Sequence, residues 1–353
     1  MKLLRRYLGS MTFEENGQTT MKLPRNYCYS ALQFVLVAQI DRTDQGQAGT
    51  CKDSAPAQLV KRVEVILNGK NVVKNLDYET MHRLNQMRHG VRPYIYAHDL
   101  LGYAQITNGV FKVAAQLDFE LPKQGPWRTN VDTLLDSRGL SSLDLQVTFG
   151  SAQDIMDDTY DDADGITVDS AKLYVYSVER VGAPVTAYAL WKEYRLIQHT
   201  IAGAGDISLD VPVNTTYNQI VVKTHADGDQ VDTILPFGLA NLNTIEVYSG
   251  TEKFLRLPAG LLQTCNRTEN QIEVPERVGS GAALNHAQQE LLLEGYYDID
   301  FCHDGRLTEM LDATKLSDLK LDLQVAAPGT DNKVDVYCSE IILPAVQTNG
   351  QAA

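Results

Sequence analysis

The residues of this chain that could do chemistry are scattered, and each group falls short of a working arrangement. The most conspicuous is the acidic stretch SAQDIMDDTYDDADG at 151–165, which holds Asp154, Asp157, Asp158, Asp161, Asp162 and Asp164. Calcium takes several carboxylate oxygens, so such a run is a candidate metal site. The EF-hand spacing fails: with Gly165 in the sixth place, the first ligand would be Tyr160 and the twelfth Ala171. Repulsion among like charges favours a solvated surface loop, and no metal is assigned. His98-Asp99 and His303-Asp304 are adjacent pairs, but neighbours on a strand point to opposite faces. Gly203-Ala204-Gly205 and Gly279-Ser280-Gly281 lack the strand–glycine–helix context of a nucleotide site, so no cofactor is expected. The G-x-S-x-G elbow, the H-E-x-x-H helix and the P-loop are all missing from the sequence. The five cysteines, at 28, 51, 265, 302 and 338, form no C-x-x-C pair and match no zinc spacing. They read as small apolar residues in a reducing compartment. No catalytic residue is assigned.

The N-terminus carries a different kind of signal. Lys2, Arg5 and Arg6 alternate with Leu3, Leu4, Tyr7 and Leu8. As a short helical arm over 1–20, this piece would have a basic and an apolar face, suited to an anionic membrane surface. Three such charges contribute about 3 kcal/mol at most, enough only with many copies acting together. Lys2, Arg5 and Arg6 are therefore assigned to membrane contact. The start MKLLRRYLGS lacks the apolar stretch of a secretory signal. The longest apolar run, Ala31 to Ile40, is short of a bilayer span. Synthesis in soluble form in the cytoplasm is the expectation.

Composition narrows the partners. The 31 basic against 45 acidic side chains leave a net charge of -14, which opposes the phosphate neutralisation that nucleic-acid binding needs. No direct nucleic-acid contact is expected. At 353 residues the chain is long for one core and comfortable for two domains.

The elements that must position these residues are mainly strands. Leu143, Leu145, Val147 and Phe149 alternate with polar residues, as do Val113, Ala115, Leu117 and Phe119, and Ile207, Leu209, Val211 and Val213. Each run predicts a strand with one buried face. Asn68-Gly69 and Asn108-Gly109 supply the positive φ angles of tight hairpins. Helices are predicted over Asn75 to His89 and Ala282 to Leu293.

Self-comparison reveals a duplication. LLDSRGLSSLDLQV from Leu134 echoes MLDATKLSDLKLDLQV from Met310. In the same order, Leu23-Pro24-Arg25-Asn26 resembles Val211-Pro212-Val213-Asn214, and Val63-Glu64-Val65 resembles Ile245-Glu246-Val247. Asp118-Phe119 resembles Asp300-Phe301, and Val175-Tyr176 resembles Val336-Tyr337. The spacing between matched positions shrinks gradually, as loops of unequal length require. The acidic segment of the first half, absent from the second, accounts for the last drop. We read two copies of one β domain, at 21–185 and 186–353, meeting near Gly182-Ala183-Pro184. About eight strand-like segments in roughly 165 residues suit two tandem eight-stranded jelly-roll β-sandwiches.

A protein with two such domains resembles the double jelly-roll major capsid proteins of tailless, membrane-containing icosahedral viruses, bacteriophages especially. The residues that carry the resemblance are Leu23 to Asn26, APAQLVKRVEVILNGK from Ala55, LLDSRGLSSLDLQVTFG from Leu134, and the echo from Met310. The resemblance implies homotrimers of near-hexagonal outline that tile a virion shell. It also implies contacts with neighbouring capsid trimers and minor coat proteins, and an N-terminus inside the shell near the internal membrane, which makes Lys2, Arg5 and Arg6 candidates for membrane or inner-shell contact. The expected role is thus structural rather than enzymatic, located in the virion. Two alternatives stay open on the residues themselves. One is a two-sandwich glycan hydrolase or amidase using paired carboxylates; the other is a carbohydrate-binding module using its 17 tyrosines and two tryptophans, Trp127 and Trp191.

Overall fold

Among the described residues, alternating burial organises the longer strands into two sets of eight, to which three two-residue strands, Ile95–Tyr96, Leu135–Asp136 and Leu311–Asp312, are added. In the computed structural model, the described residues are 2–42, 55–90, 93, 95–96, 109–121, 133–155, 166–183, 189–225, 242–272, 293, 295–302, 309–325 and 333–342. The first set is β1 (Lys2–Thr12), β2 (Gln18–Lys22), β3 (Cys28–Arg42), β4 (Val60–Leu67), β5 (Asn71–Leu76), β6 (Gly109–Asp118), β7 (Leu143–Phe149) and β8 (Ile166–Val181). The second is β9 (Leu190–Thr200), β10 (Gly205–Asp210), β11 (Thr216–His225), β12 (Leu242–Ser249), β13 (Glu252–Pro258), β14 (Tyr296–Asp300), β15 (Lys320–Val325) and β16 (Lys333–Ile342). Two helices occupy matching places among the described residues. α1 (Tyr78–His89) follows β5, and α2 (Ala259–Glu269) follows β13.

Strand order is the same in both sets. The first forms the sheets β1-β8-β3-β6 and β2-β7-β4-β5; the second forms β9-β16-β11-β14 and β10-β15-β12-β13. Each pair of four-stranded sheets is a jelly roll, with its apolar side chains turned inward. β7 buries Leu143, Leu145, Val147 and Phe149 and leaves the residues between them half-exposed. The Asn68-Gly69 turn joins β4 to β5 with φ angles of 53° and 73°, as a two-residue hairpin requires. Asn108 lies outside the described residues.

Small details repeat as well. Tyr29 donates its hydroxyl to the Pro24 carbonyl at 2.5 Å, and Tyr217 donates to Pro212 at 2.6 Å. The Asn85 amide both donates to the Gln116 carbonyl and accepts from its N–H, at 2.7 and 2.6 Å. Asn266 does the same to Asp298, at 2.8 and 2.9 Å. These clamps satisfy the outer edge of β6, beyond its pairing with Ile95–Tyr96, and the outer edge of β14, where unpaired backbone groups would otherwise face outward.

The helix expected over Asn75 to His89 begins three residues later. β5 claims Asn75 and Leu76, and Asp77 caps the helix by accepting from the Thr80 N–H at 2.7 Å. Gly90, at φ 71°, closes it. Of the helix expected over Ala282 to Leu293, all but Leu293 lies outside the described residues.

The N-terminal helical arm is corrected. Residues 2–12 form β1, paired antiparallel with β8 from Lys2↔Val181 to Thr12↔Lys172. An isolated helix of this length is marginal in water, whereas β8 offers a full ladder of hydrogen bonds. Leu8 packs on the core and Met11 is buried. A bulge between Tyr7 and Gly9 keeps both on the inner side.

Candidate assembly interface

The two rolls meet through a parallel strand pair. Glu193 and Tyr194 of β9 lie beside Lys74 and Asn75 of β5, which fuses one sheet from each roll into a single larger sheet. The outer face of β16 and β11 then lies against α1. Val221 and Tyr337 belong to the first roll's apolar cluster, while Ile220, Val222, Val336 and Cys338 belong to the second's. Alternation along a strand thus lets one sheet serve two cores.

The seam is ionic and almost dry. Lys74 Nζ donates to Glu193 Oε2 at 2.6 Å, with side-chain exposures of 0% and 3%. Arg88 pairs with the other Glu193 oxygen and donates to Gln219 Oε1 at 2.9 Å. Lys74 sits 3.7 Å above the Trp191 ring and Arg88 sits 4.9 Å from it, favourable for cations over an indole. Burial lowers the Lys74 amine to about 8, against the opposing pull of Glu193. Burial pushes Glu193 upward, but Arg88 and Lys74 outweigh it and hold the carboxyl below its ordinary value. A second group joins the rolls nearby. Lys223 bonds Glu79 at 2.8 Å, and Tyr337 donates to Asp77. Burial works against the Lys223 charge, yet Glu79 leads the groups that raise it well above its usual value. These charges are paired across the boundary between the two rolls, so removing one partner would leave a buried charge alone.

The residues singled out from sequence do not converge on this seam. Lys2 and Arg5 are exposed on β1, at the edge of the first roll. Arg6 instead bonds Glu179 at 2.6 Å and lies 5.6 Å from the Tyr27 ring. Of the acidic stretch only Asp154 and the residues before 156 are described. Asp154 pairs with Lys61 at 2.9 Å and accepts from the Ser151 N–H at 2.7 Å. Asp157, Asp158, Asp161, Asp162 and Asp164 lie outside the described residues, as do His98, His303 and Trp127. Among the described residues no cluster of metal ligands occurs, and Cys28, Cys265, Cys302 and Cys338 are free thiols.

The second roll bears a cleft of about 730 Å³ between β13, α2 and the end of β14. Its walls carry Glu252, Glu269, Asp298, Asp300, Glu309 and Asp312, beside Leu255, Leu257, Cys265 and Phe301. A glycan hydrolase needs one carboxyl kept protonated. Bonds from Thr314 and Lys315 hold Asp312 down at about 2, which keeps that carboxyl ionised.

Sequence reasoning missed Lys74, Arg88 and Glu193, together with α2 and the two asparagine clamps. Only the paired tyrosines had a visible signal, each standing five residues after the proline of a matched segment.

Two jelly rolls in one chain, with matching strand order and a shared sheet, define a double jelly-roll protein. Solved structures similar to it include the MCP of STIV, the Sulfolobus Turreted Icosahedral Virus, at 14% identity over 98% of each chain with a TM-score of 0.70. The major capsid protein P2 from Bacteriophage PM2 matches at 14% identity, over 98% of this chain and 99% of that one, with a TM-score of 0.57. The PBCV-1 virus capsid matches at 10% identity, over 96% of this chain and 94% of that one, with a TM-score of 0.60. At such identities the likeness is one of fold. No family model and no curated protein matches the sequence.

Proposed function

We propose that this protein is a major capsid protein that builds an icosahedral virion shell from homotrimers. The observation that carries this reading is the duplicated roll fused through a dry ionic seam, a fold shared over nearly the full length with viral coat proteins. Two rolls joined through one continuous sheet favour shell building over the hydrolase and carbohydrate-binding alternatives. In this reading the rolls are two domains that divide near 185/186, with β1 part of the first. The virion is the protein's destination after synthesis in the host cytoplasm, and its partners are neighbouring trimers and minor coat proteins. Its role is non-enzymatic. Contact within the shell is assigned to the face of β1 that carries Lys2 and Arg5, whereas the Arg6 charge is taken up by Glu179.

Light scattering and negative-stain electron microscopy of the purified chain test the proposal. The expected result is a mass three times the 39.1 kDa chain and particles of hexagonal outline. A monomer at high protein concentration, with no particles of that outline, would refute it.

A further inference from the structure

The two rolls match position by position, and that match identifies two surfaces whose counterparts are paired with each other inside the chain. β1 corresponds to β9, because each carries a bulge at the same place, at Tyr7/Gly9 and at Arg195/Ile197. The residue before each bulge pairs with a matched tyrosine, Tyr7 with Tyr176 and Arg195 with Tyr337. Counting back along each strand sets Arg5 against Glu193 and Leu3 against Trp191. The asparagine clamps align the helices, so Arg88 of α1 corresponds to Glu269 of α2, and Thr80 to Leu261. Cross-strand partners align β5 with β13: Lys74 faces Val65, and Leu255 faces the matched Val247.

Within the chain, β9 lies along β5 and α1, and Trp191 and Glu193 fill the site lined by Lys74, Arg88 and Phe119. The corresponding site of the second roll is the cleft lined by Leu255, Glu269 and Phe301. β13 is the outer strand of its sheet, and β1 is the outer strand of the other roll's sheet. Leu3 and Tyr7 on β1 and Leu261 on α2 are 41%, 55% and 49% exposed, so each surface offers apolar area to a partner. The charges complement each other. The strand brings Lys2 and Arg5, and Glu252, Glu269, Glu309 and Asp312 are among the residues that line the cleft.

We propose that the cleft between β13 and α2 of one copy receives β1 of a second copy of this chain. β1 runs parallel to β13, as β9 does to β5. Leu3 enters beside Leu255 and Phe301, and Arg5 pairs with Glu269. Tyr7, stacked on Tyr176 with ring centroids 5.3 Å apart, covers the α2 face that holds Leu261. The contact is head-to-tail: each copy offers one strand and one cleft, and three such contacts would close the ring of the proposed homotrimer. The inference deepens the self-assembly reading and rests on it.

Light scattering of the full chain across a dilution series tests the contact, using Arg5→Glu, Leu3→Asp, Glu269→Arg and the double variant Arg5→Glu/Glu269→Arg. Each single change is expected to raise the concentration at which assemblies dissociate by at least about tenfold, and the double charge exchange is expected to recover most of that loss. Circular dichroism and thermal melts of Arg5→Glu and Leu3→Asp, both at exposed positions, should match the parent. A parent that stays monomeric overturns the self-assembly reading itself. A trimeric parent whose variants all assemble as well as it does overturns only this contact. So would variants that assemble normally but lose binding to vesicles of anionic phospholipid, which would return Lys2 and Arg5 to a membrane role.

Discussion

Removing Glu193 is predicted to cost far more than removing the lysine it bonds. Glu193→Gln preserves shape but leaves Lys74 and Arg88, 0% and 8% exposed, as two cations facing each other without their anion. Breaking a buried ionic group in this way costs about 3–5 kcal/mol. Lys74→Met acts in the opposite direction. The Lys74 amine titrates near 8 in the folded chain against an ordinary 10.5, so keeping it charged at neutral pH costs on the order of 3 kcal/mol. Methionine removes that cost, fills similar volume, and leaves Glu193 paired with Arg88. The expected change therefore runs from neutral to about 3 kcal/mol more stable. The pH dependence has a definite sign. Between about 8 and 10.5 the unfolded lysine binds more protons than the folded one, so the stability of the parent rises with pH in that window. The advantage of Lys74→Met should shrink over the same range.

Urea titrations at a fixed chain concentration, followed by tryptophan fluorescence, read both effects, because Trp191 lies directly beneath Lys74. The double variant Glu193→Gln/Lys74→Met should be clearly less damaged than Glu193→Gln alone. If Glu193→Gln falls within 1 kcal/mol of the parent, or Lys74→Met is as harmful as Glu193→Gln, the seam is not a desolvated charge cluster and the reasoning fails.

Three further outcomes follow from the repeated details. Tyr29→Phe and Tyr217→Phe each delete one hydroxyl-to-carbonyl bond and should each cost about 1 kcal/mol in denaturant melts, by similar amounts. Asn85→Ala and Asn266→Ala strip two hydrogen bonds from a sheet edge. Each should cost about 2–3 kcal/mol, with faster amide exchange at Gln116 and Asp298 respectively. Asp154→Ala breaks an ion pair with Lys61, whose side chain is 46% exposed; melting should shift by less than about 1 kcal/mol, and less still in high salt.

The legible part of this fold was whatever local alternation writes into sequence. The period of two in Leu143–Phe149 marks a strand because one face must be dry, and the repeat of the Leu134 segment at Met310 marks a second copy of that requirement. The N-terminus misled for a physical reason. Lys2 to Leu8 places apolar residues at both strand and helix spacings, and a short segment takes the structure its neighbour supports. Here β8 offered an open edge. α2 was hidden because its sequence, AGLLQTCNRTE, combines a glycine and two threonines with few apolar residues, and packing decides its state. The seam was illegible in principle. Lys74 and Glu193 are 119 residues apart, and an exposed lysine has the same letter as a buried one.

If the proposed contact forms, the reversal of charge between the two matched seams gives the assembly its direction. Inside the chain the strand β9 carries the acid, Glu193, and the receiving roll carries Lys74 and Arg88. Between copies, on the proposed contact, the strand β1 carries the base, Arg5, and the receiving roll carries Glu269. Because the rolls share one backbone plan, shape alone would allow β1 to seat where β9 belongs, or β9 to enter the second roll's cleft. Charge separates these arrangements. β1 seated on the first roll would set Arg5 against Lys74 and Arg88, and β9 seated on the second would set Glu193 against Glu269. Each mispairing brings like charges together in a desolvated place, where such juxtaposition costs several kcal/mol. A duplicated chain with two equal seams would have no means of choosing between its own second roll and a neighbour's. One that alternates their polarity joins roll to roll in a single order around the ring.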